Sequence, residues 1–538
     1  MNRLSPPALQ RLAQWSAPGA QVTAGIFIFL AVLLSLLGGK DLNWDLLNYH
    51  YYNGWALLHG RSDIDVAPAQ LQTYFDPLLD VPLYLAIRHL PPLLVGAVYA
   101  TVQSVNAWLV WLIARRVLPF ASTPARDWAA FGLGLMALGG TIFRAELGGG
   151  MGDTLVSIPL LGAVAIVVSR PAESESRRSG SWMAAGLLTG LACALKLVAA
   201  VYAAGFTAAS FALATPGRRW RPPLLFAASA AVSWAILDGW WRVHLWRDFG
   251  NPLFPAFNQW FASPLLAPVA FTDPRFVPHS WVQALIYPLY WLRHPQAVSD
   301  TGRFLDLRLP LLFVTAVAWL IQRVRGTVRG VLPRGAHFVL LGCAGAYGAW
   351  IAVFGIHRYL ATLELLAPLA LVLLLCDLGV TGVRARAIIV TVLAFTSVLV
   401  VPMKYARGGW SGDYFGVSVP ASVSALRGGT VLIGGTAPVA FVLPELPAQL
   451  RFVRIASNFY GFATPQGFDR GVAELVAADR GDLYTLAAPD ELEQVDAGLA
   501  RLHLRRDTAC AAIGTAATST RPAPMLAGPL LWCAVRRE

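Results

Sequence analysis

The chain has 538 residues, of which 56% are hydrophobic and only 13% are charged. Because an average soluble domain carries roughly 25% charged residues, this composition excludes a soluble enzyme, a disordered chain and a small disulfide-rich protein. It predicts a protein that crosses a membrane several times. The net charge of +12 does not indicate a nucleic-acid partner, because the basic residues lie in short clusters at the ends of apolar runs.

Apolar runs of about 20 residues are long enough to cross a bilayer as helices, and they predict a mostly α-helical transmembrane bundle with about eleven spans. The first span is expected to be a retained anchor, since Leu36–Gly39 makes a poor site for signal-peptide cleavage. The predicted spans are Val22–Gly38, Leu93–Ala114, Trp128–Phe143, Asp153–Ser169, Trp182–Lys196, Leu197–Ala214, Leu224–Trp241, Leu305–Ile321, Ala336–Phe354, Leu360–Asp377 and Ala387–Val401.

The arginines between the spans predict how the chain is oriented. By the positive-inside rule, their clusters and the N-terminus are cytoplasmic. The segment Trp182–Ala214 could form one overlong helix or two short ones; two are preferred, because a single helix would move the later arginines to the outside. The clusters are Arg3 with Arg11, Arg115–Arg126, Arg170–Arg178, Arg218–Arg221, Arg323–Arg334 and Arg384–Arg386.

This orientation leaves three segments outside: the first outer loop (residues 39–92), the second outer loop (residues 242–304) and the tail that follows the last span. The chain is therefore divided into a transmembrane module, residues 1–402, and a C-terminal domain, residues 403–538.

The tail has the pattern of a small α/β domain. Cys510 and Cys533 are expected to pair in an oxidising compartment, with two unpaired, buried thiols as the alternative. Cys193, Cys343 and Cys376 lie in spans, where a thiol behaves as a small hydrophobic group. Strands are predicted at Thr430–Gly434, Val439–Leu443, Arg451–Ile455 and Leu483–Leu486, and helices at Phe468–Ala478 and Pro489–Leu502.

The first outer loop is rich in carboxylates for a chain with 30 acidic residues. Asp45, Tyr49 and Tyr52 recur at helical spacing, which predicts an amphipathic helix along the membrane surface. An aromatic–proline element, Tyr74–Tyr84, ends the loop. Its acids are Asp41, Asp45, Asp63, Asp65, Asp76 and Asp80.

A first outer loop that opens with an acid, continues with aromatics and a Leu-x-x-Gly (Leu57–Gly60), and ends in an aromatic–proline element resembles the GT-C glycosyltransferases. The run Gly250–Pro255 also resembles uncharacterised bacterial members of that superfamily. The resemblance covers residues 1 to about 405. It implies an inner-membrane enzyme that takes a hexose or pentose from a polyprenyl-phosphate carrier, inverts the anomeric centre and glycosylates a periplasmic glycan, lipid or protein. The C-terminal domain would then be periplasmic.

A carboxylate in this loop is the usual catalytic group of GT-C enzymes, and Asp45 matches it best, with Asp41 as the competitor. A positioned carboxylate acts as general base on the attacking acceptor hydroxyl, which is worth typically about 10²–10⁴-fold in rate. Burial beside Trp44 and Tyr49 is expected to raise the pKa of Asp45. The alternative is that Asp45 merely keeps an interfacial helix facing water.

The resemblance also implies a second acid between the third and fourth spans, where Glu146 and Asp153 lie. Such an acid would orient the acceptor or hold a divalent cation, Mg²⁺ or Mn²⁺, through its oxygens. Alternatively, Asp153 caps the next helix. Asp76 and His50 are further candidates for contact with the acceptor.

Basic residues on the outer side are expected to bind the carrier phosphate. Arg358, flanked by His357 and Tyr359, is the leading candidate because it lies at the outer end of a span, against the charge rule. Its alternative role is a structural pair with Glu364, an acid inside an apolar run. Lys196, at the outer turn between two short spans, is the second candidate; otherwise its side chain extends to the interface.

Other classes of site have little support. The histidines show neither H-E-x-x-H nor a Cys/His pattern, so no zinc site is predicted, and no G-x-S-x-G or P-loop motif occurs. Two rival functions remain. One is a secondary transporter, although no internal repeat is evident, and the other is a non-catalytic membrane scaffold whose tail binds a partner.

Overall fold

The computed structural model describes residues 17–169, 175–214, 217–269, 273–299, 301–380, 382–410, 412–457 and 467–538. Arg3, Arg11 and Arg170, which entered the predicted orientation, lie outside these ranges.

The protein is mostly α-helical, and nine of the eleven predicted spans lie mainly on a single α-helix. The predicted span Trp128–Phe143 is broken at Gly139 and Gly140, and Leu197–Ala214 consists of a short α-helix between two 3₁₀ turns. The helices of the transmembrane module and its loops are α1 (Ala20–Gly38), α2 (Tyr51–Leu58), α3 (Asp80–His89), α4 (Pro92–Val117), α5 (Thr123–Leu138), α6 (Thr141–Glu146), α7 (Asp153–Ser169), α8 (Glu175–Leu195), α9 (Ala200–Ser210), α10 (Arg221–Phe249), α11 (Asn258–Phe261), α12 (Trp281–Leu285), α13 (Tyr287–Tyr290), α14 (Arg308–Val324), α15 (Arg334–Val353), α16 (Ala361–Asp377) and α17 (Val383–Val398).

Within the described ranges, five helical segments are long and apolar enough to cross a membrane, judged by length and composition. They are α1, α4, α10, α15 and α16 with the turn before it. Helix α16 is apolar on every side and almost fully buried, as expected for a helix at the centre of a bundle. It packs against α4, α5, α7, α14 and α15.

The break expected near Lys196 is confirmed. Helix α8 ends at Leu195, Lys196 has an extended backbone with φ −158° and ψ 116°, and a short 3₁₀ turn, Leu197–Ala199, leads into α9. The chain therefore changes direction at Lys196 instead of running on as one overlong helix.

The first outer loop does not lie as an amphipathic helix on a membrane surface. A π-helical turn, Leu46–His50, runs directly into α2, and their residues are buried almost throughout. Leu46, Tyr51 and Trp55 pack in one core with apolar side chains of the tail. The prediction of a surface helix was wrong. Helical spacing shows which residues share a face, but it does not show that the tail covers this face.

The tail contains a five-stranded sheet in the order β4-β3-β5-β7-β6. Its strand β3 pairs in parallel with β4 and β5, while β7 runs antiparallel to β5 and β6. A separate two-stranded pair joins β1 to β2. The strands are β1 (Lys40–Asp41), β2 (Arg407–Gly408), β3 (Gly429–Ile433), β4 (Leu450–Arg454), β5 (Leu483–Ala487), β6 (Leu504–Ile513) and β7 (Leu530–Arg537). The tail helices are α18 (Ala421–Ser424), α19 (Gly467–Ala478) and α20 (Leu492–Arg501).

Three of the four predicted strands of the tail are confirmed, and the fourth is wrong. Val439–Leu443 lies in a 3₁₀ helix, Ala440–Glu445, because a short, fully buried apolar run carries no periodicity that separates strand from helix. Strands β6 and β7 were not predicted, and they carry the two tail cysteines. Cys510 and Cys533 form a disulfide, as predicted, while Cys193, Cys343 and Cys376 are free and buried.

We expect removal of this disulfide by the double substitution Cys510→Ser/Cys533→Ser to lower the free energy of unfolding of the tail by about 3 kcal/mol, from the loop-closure entropy of a crosslink of this span. The two cysteines are 23 residues apart in sequence. Thermal denaturation with and without reductant measures the effect. An unchanged midpoint in the double variant would contradict it.

The tail docks directly on the first outer loop. The Val66 amide donates to the Phe452 carbonyl at 2.8 Å, and the Arg454 amide donates to the Val66 carbonyl at 2.9 Å. Arg61 lies beside the same strand, β4, where it donates to the Leu450 carbonyl at 2.6 Å and pairs with Asp65. The loop is therefore held between the helical bundle and the sheet, which positions the residues at its start.

Candidate active site

Asp45 and Arg358, which are 313 residues apart in sequence, form an ion pair. Asp45 immediately precedes the π-helical turn, and Arg358 lies in the 3₁₀ turn His357–Leu360 that leads into α16. Arg358 Nη1 donates to Asp45 Oδ2 at 2.6 Å, and the Tyr49 hydroxyl donates to the same oxygen at 3.3 Å. Asp45 is 8% exposed, so it does not face water. Its neighbouring turn is of the rare π type, which frequently occurs at functional sites.

A second ion pair lies beside the first. Lys196 Nζ donates to Asp153 Oδ1 at 2.8 Å and to the Met151 carbonyl at 3.0 Å. Lys196 Nζ lies 5.5 Å from the ring centre of Tyr359, and the Arg358 guanidinium lies 5.4 Å from the same ring. Two cations therefore approach one tyrosine from two different helix breaks. Lys196 does not extend to an interface, since its side chain is only 15% exposed.

Glu146 and Asp153 form a carboxyl pair next to Lys196. Glu146 Oε2 accepts from the amide and the hydroxyl of Thr154, at 2.9 and 3.1 Å, so Glu146 contributes to the N-terminal capping of α7. A proton shared between the two carboxyl groups explains why Glu146 Oε1 and Asp153 Oδ2, both buried, have no other partner among the described residues.

The charges around these acids set their protonation in opposite ways. Burial alone would raise the pKa of Asp45, but Arg358, assisted by His50 and Lys196, holds that pKa below its ordinary value. The predicted rise was therefore wrong in direction, because an adjacent cation outweighs desolvation. Burial raises the pKa of Glu146 well above its ordinary value, and the neighbouring Asp153 adds to the rise. The same site therefore lowers the pKa of one carboxyl group, Asp45, and raises the pKa of another, Glu146.

Asp41, the competitor of Asp45, has its oxygens occupied within the protein. It accepts from the Asn43 side-chain amide at 2.7 and 2.8 Å and from the Gly150 amide at 2.9 Å. A Cβ on Gly149 would lie 2.4 Å from Asp41 Oδ2, so only glycine lets the α6–α7 loop approach this closely. Asp41 therefore anchors that loop, and Asp45 is the better candidate for chemistry.

His50 lies at the other end of the π-helical turn and is oriented by Asp80. Its Nδ1 is 2.5 Å from Asp80 Oδ1, and its buried Nε2 has no partner within the described part of the chain. A carboxylate that binds one ring nitrogen of a histidine fixes the tautomer and leaves the other nitrogen able to accept a proton or a hydrogen bond. The sequence did not single out Asp80 for this role.

Asp76 and His357 do not join the site. Asp76 lies against Asp238 of α10 and 3.9 Å from Arg242 Nη2, because the loop folds back onto that helix. The ring centre of His357 lies 4.6 Å from that of Phe304 and 5.4 Å from that of Trp291. His357 and Arg358 are consecutive residues of a turn, so their side chains point in different directions.

The pairing of Arg358 with Glu364 is also wrong. Glu364 accepts from the Ile142 amide at 3.0 Å and lies 3.7 Å from Arg308 Nη2, which in turn binds Asp306. The sequence reasoning missed this buried network. Asp306 and Arg308, at the start of a predicted span, could have indicated it. Ionisable groups at membrane depth usually pair with one another.

Two acids of the site, Asp45 and Asp153, are already paired with cations of the protein. A cation site needs several oxygen ligands on one ion, but Asp45 is paired with Arg358 and Asp153 with Lys196. Among the described residues, the three-ligand cluster of His, Cys, Asp or Glu side chains lies elsewhere and contains neither acid.

No protein-family profile and no curated protein matches the chain. Three solved structures resemble it. ArnT from Cupriavidus metallidurans, bound to undecaprenyl phosphate, matches with a TM-score of 0.45 at 13% identity over 95% of this chain and 97% of its own. An Archaeoglobus fulgidus oligosaccharyltransferase in the apo form gives 0.44 at 12% identity, over 88% of this chain and 70% of its own. The A. fulgidus oligosaccharyltransferase AglB, in complex with an inhibitory peptide and a dolichol-phosphate, gives 0.44 at 15% identity with the same coverage.

All three matches have TM-scores of 0.45 or less and identities of 15% or less. Their TM-scores and identities are too low to transfer any ligand or residue role, so the functional proposals rest on the contacts of this chain alone.

Asp76 makes stability depend on pH. Burial, reinforced by Asp238, raises its pKa from 3.8 to about 9, so between these values the folded protein holds a proton that the unfolded chain releases. The free energy of unfolding should therefore fall as pH rises through this window, by up to about 1.4 kcal/mol per pH unit. We expect Asp76→Asn to flatten the fall in melting temperature between pH 6 and 9. The control Asp273→Asn should keep the wild-type slope, and an equal slope in Asp76→Asn would exclude this role.

Proposed function

We propose that the protein is a membrane glycosyltransferase that takes a sugar from a polyprenyl-phosphate carrier and transfers it, with inversion, to an acceptor on the outer side. The observation that carries the proposal is the buried Asp45–Arg358 pair with Lys196 beside it. It combines an ionised carboxylate with two cations, and both kinds of group are needed for displacement of a phosphate from a sugar.

Arg358 and Lys196 are proposed to bind the carrier phosphate. Arg358 Nε is buried and has no acceptor among the described residues, and an unsatisfied buried donor indicates a missing partner. A phosphate oxygen is a strong acceptor for such a guanidinium. As the bond between the anomeric carbon and the phosphate oxygen breaks, the two cations stabilise the charge on the leaving phosphate.

Asp45 is proposed to be the general base. The acceptor oxygen forms a bond to the anomeric carbon, its proton passes to Asp45, and polyprenyl phosphate leaves with the electron pair of the broken bond. In the empty site Arg358 keeps Asp45 a weak base. A carrier phosphate that takes hydrogen bonds from Arg358 would raise the pKa of Asp45, so the base would become stronger only when the donor is bound.

His50, Glu146 and Asp153 are proposed to contact the acceptor. Asp80 holds the ring of His50 in place, and the Nε2 of that ring has no partner among the residues that the structure describes. The raised pKa of Glu146 favours the protonated form, which can donate to an acceptor oxygen. Charged and polar groups fixed by their own partners position a substrate without further loss of side-chain entropy.

The test is a comparison of lipid-linked sugars and surface glycans by mass spectrometry in strains with and without the gene. A glycosyltransferase predicts accumulation of one polyprenyl-phosphate sugar and loss of that sugar from a surface glycan. A scaffold predicts no accumulation, and a transporter predicts altered uptake with unchanged lipid-linked sugars; either result contradicts the proposal.

A further inference from the structure

A second cluster of chemically active side chains lies away from the Asp45–Arg358 pair, where the first outer loop meets the outer end of α10. It consists of Asp63 from the loop and His244 and Asp248 from the helix, and one ligand atom of each lies within 4.8 Å of the other two. His244 and Asp248 are four residues apart, so they share one face of the helix. No sequence motif contains all three, because Asp63 precedes the other two by about 180 residues.

One spacing in the cluster is that of two ligands on the same metal ion. His244 Nδ1 lies 3.4 Å from Asp248 Oδ2, and two ligands on one tetrahedral zinc, with bonds of about 2.1 Å, are about 3.4 Å apart. One imidazole and two carboxylates also form a ligand set that zinc accepts, with room for water as the fourth ligand.

The charges of the cluster are not balanced by the protein. Within the described ranges, neither Asp63 nor Asp248 forms an ion pair with a lysine or arginine. His244 lies beside Asp248, and Arg61, which lines the same cavity, is paired with Asp65 instead. Two carboxylates held this close repel each other unless a cation lies between them. A divalent ion would remove that repulsion and join the loop to the helix.

The imidazole is held in position, and there is space beside it. The ring of His244 packs 4.9 Å from that of Trp241, whose indole NH donates to the Tyr74 carbonyl at 3.1 Å. The three residues of the cluster line a cavity of about 320 Å³, which has room for metal-bound water or a small ligand. Asn53 lines the same cavity and is 3% exposed. Its side-chain nitrogen donates to the Gln72 carbonyl at 2.9 Å, while its Oδ1 accepts no hydrogen bond from any described residue.

We propose that Asp63, His244 and Asp248 bind one Zn²⁺ ion, with its open coordination position toward this cavity. The imidazole favours a transition metal over Mg²⁺ or Ca²⁺, which prefer oxygen ligands. The ion joins the first outer loop to α10 and offers a Lewis-acidic centre to a ligand oxygen in the cavity. This site is independent of the proposed sugar transfer, since it shares no residue with it.

The test is isothermal titration of ZnCl₂ into the full-length protein in nanodiscs, with the affinity tag removed, and MgCl₂ as the competing probe. We expect one Zn²⁺ per chain and no Mg²⁺ binding. His244→Gln, Asp248→Asn and Asp63→Asn should each weaken Zn²⁺ binding at least tenfold, while His279→Gln, which removes an exposed histidine of the second outer loop, should not.

Absence of saturable Zn²⁺ binding, or equal affinity in wild type and His244→Gln, would overturn the site. The melting temperature of each variant without metal verifies that it is folded, and all three positions are at least partly exposed, so their substitution should preserve the fold.

Discussion

Asp45→Asn should reduce sugar transfer by about 10²–10⁴-fold, the usual contribution of a positioned general base, while the protein stays folded. Asparagine keeps the shape of the side chain and can still accept from Arg358 and Tyr49, but it cannot take the proton of the acceptor hydroxyl. Donor binding should remain, because the groups proposed to bind phosphate are intact.

The measurement is complementation of the gene-deleted strain, with lipid-linked sugars and surface glycans quantified by mass spectrometry. The deletion strain that carries Asp45→Asn should accumulate the lipid-linked sugar, as the strain with the empty vector does. Asp273→Asn is the matched control, since Asp273 is an outer-loop aspartate whose ion pair with Arg275 is exposed. Full complementation by Asp45→Asn would show that this carboxylate is not the base.

Arg358→Gln is expected to have two separable effects. It removes a phosphate-binding cation, which should abolish transfer, and it leaves Asp45 buried without its charge partner, which should lower the free energy of unfolding by about 3 kcal/mol. In the double variant Asp45→Asn/Arg358→Gln the unpaired charge is gone, so stability should largely return while transfer stays lost.

Thermal denaturation in detergent and the glycan assay together measure these effects, with Arg303→Gln as the control because Arg303 is exposed in the second outer loop. If the double variant is as unstable as Arg358→Gln, the pair is not coupled in the way described. If the double variant transfers sugar at the wild-type level, the proposed roles of both residues are wrong.

Much of the helical architecture could be predicted because a bilayer imposes a strict rule on length and hydrophobicity. The positive-inside rule identified Arg358, since an arginine at the outer end of a span departs from the usual distribution. It also placed Lys196 at a break, because only two short helices kept the later arginines on one side.

The partners of these residues could not be predicted, since they depend on contacts between segments hundreds of residues apart. Asp45 and Arg358 were both candidates, but their ion pair, and the consequent fall in the pKa of Asp45, requires knowledge of how the first outer loop lies against α16. The contact between Asp76 and Asp238 likewise depends on the fold. Asp306 and Arg308 could have indicated a buried ionic network, but nothing in the sequence identified Glu364 as its third member.

The cluster of Asp63, His244 and Asp248 shows the same limit, because its residues come from two distant segments. A search for short patterns such as H-E-x-x-H requires all ligands on one segment, and it misses a site whose third ligand comes from another loop. His244 and Asp248 at helical spacing were visible in the sequence, but nothing indicated that Asp63 completes the set.

The most direct test of the central claim is binding of undecaprenyl phosphate to the purified protein, followed by native mass spectrometry. Wild type and Asp45→Asn should bind the lipid with similar affinity, Arg358→Gln and Lys196→Met should each bind at least tenfold more weakly, and undecaprenol without its phosphate should not compete. Equal binding of the phosphorylated lipid to wild type and to both cation variants would contradict the account.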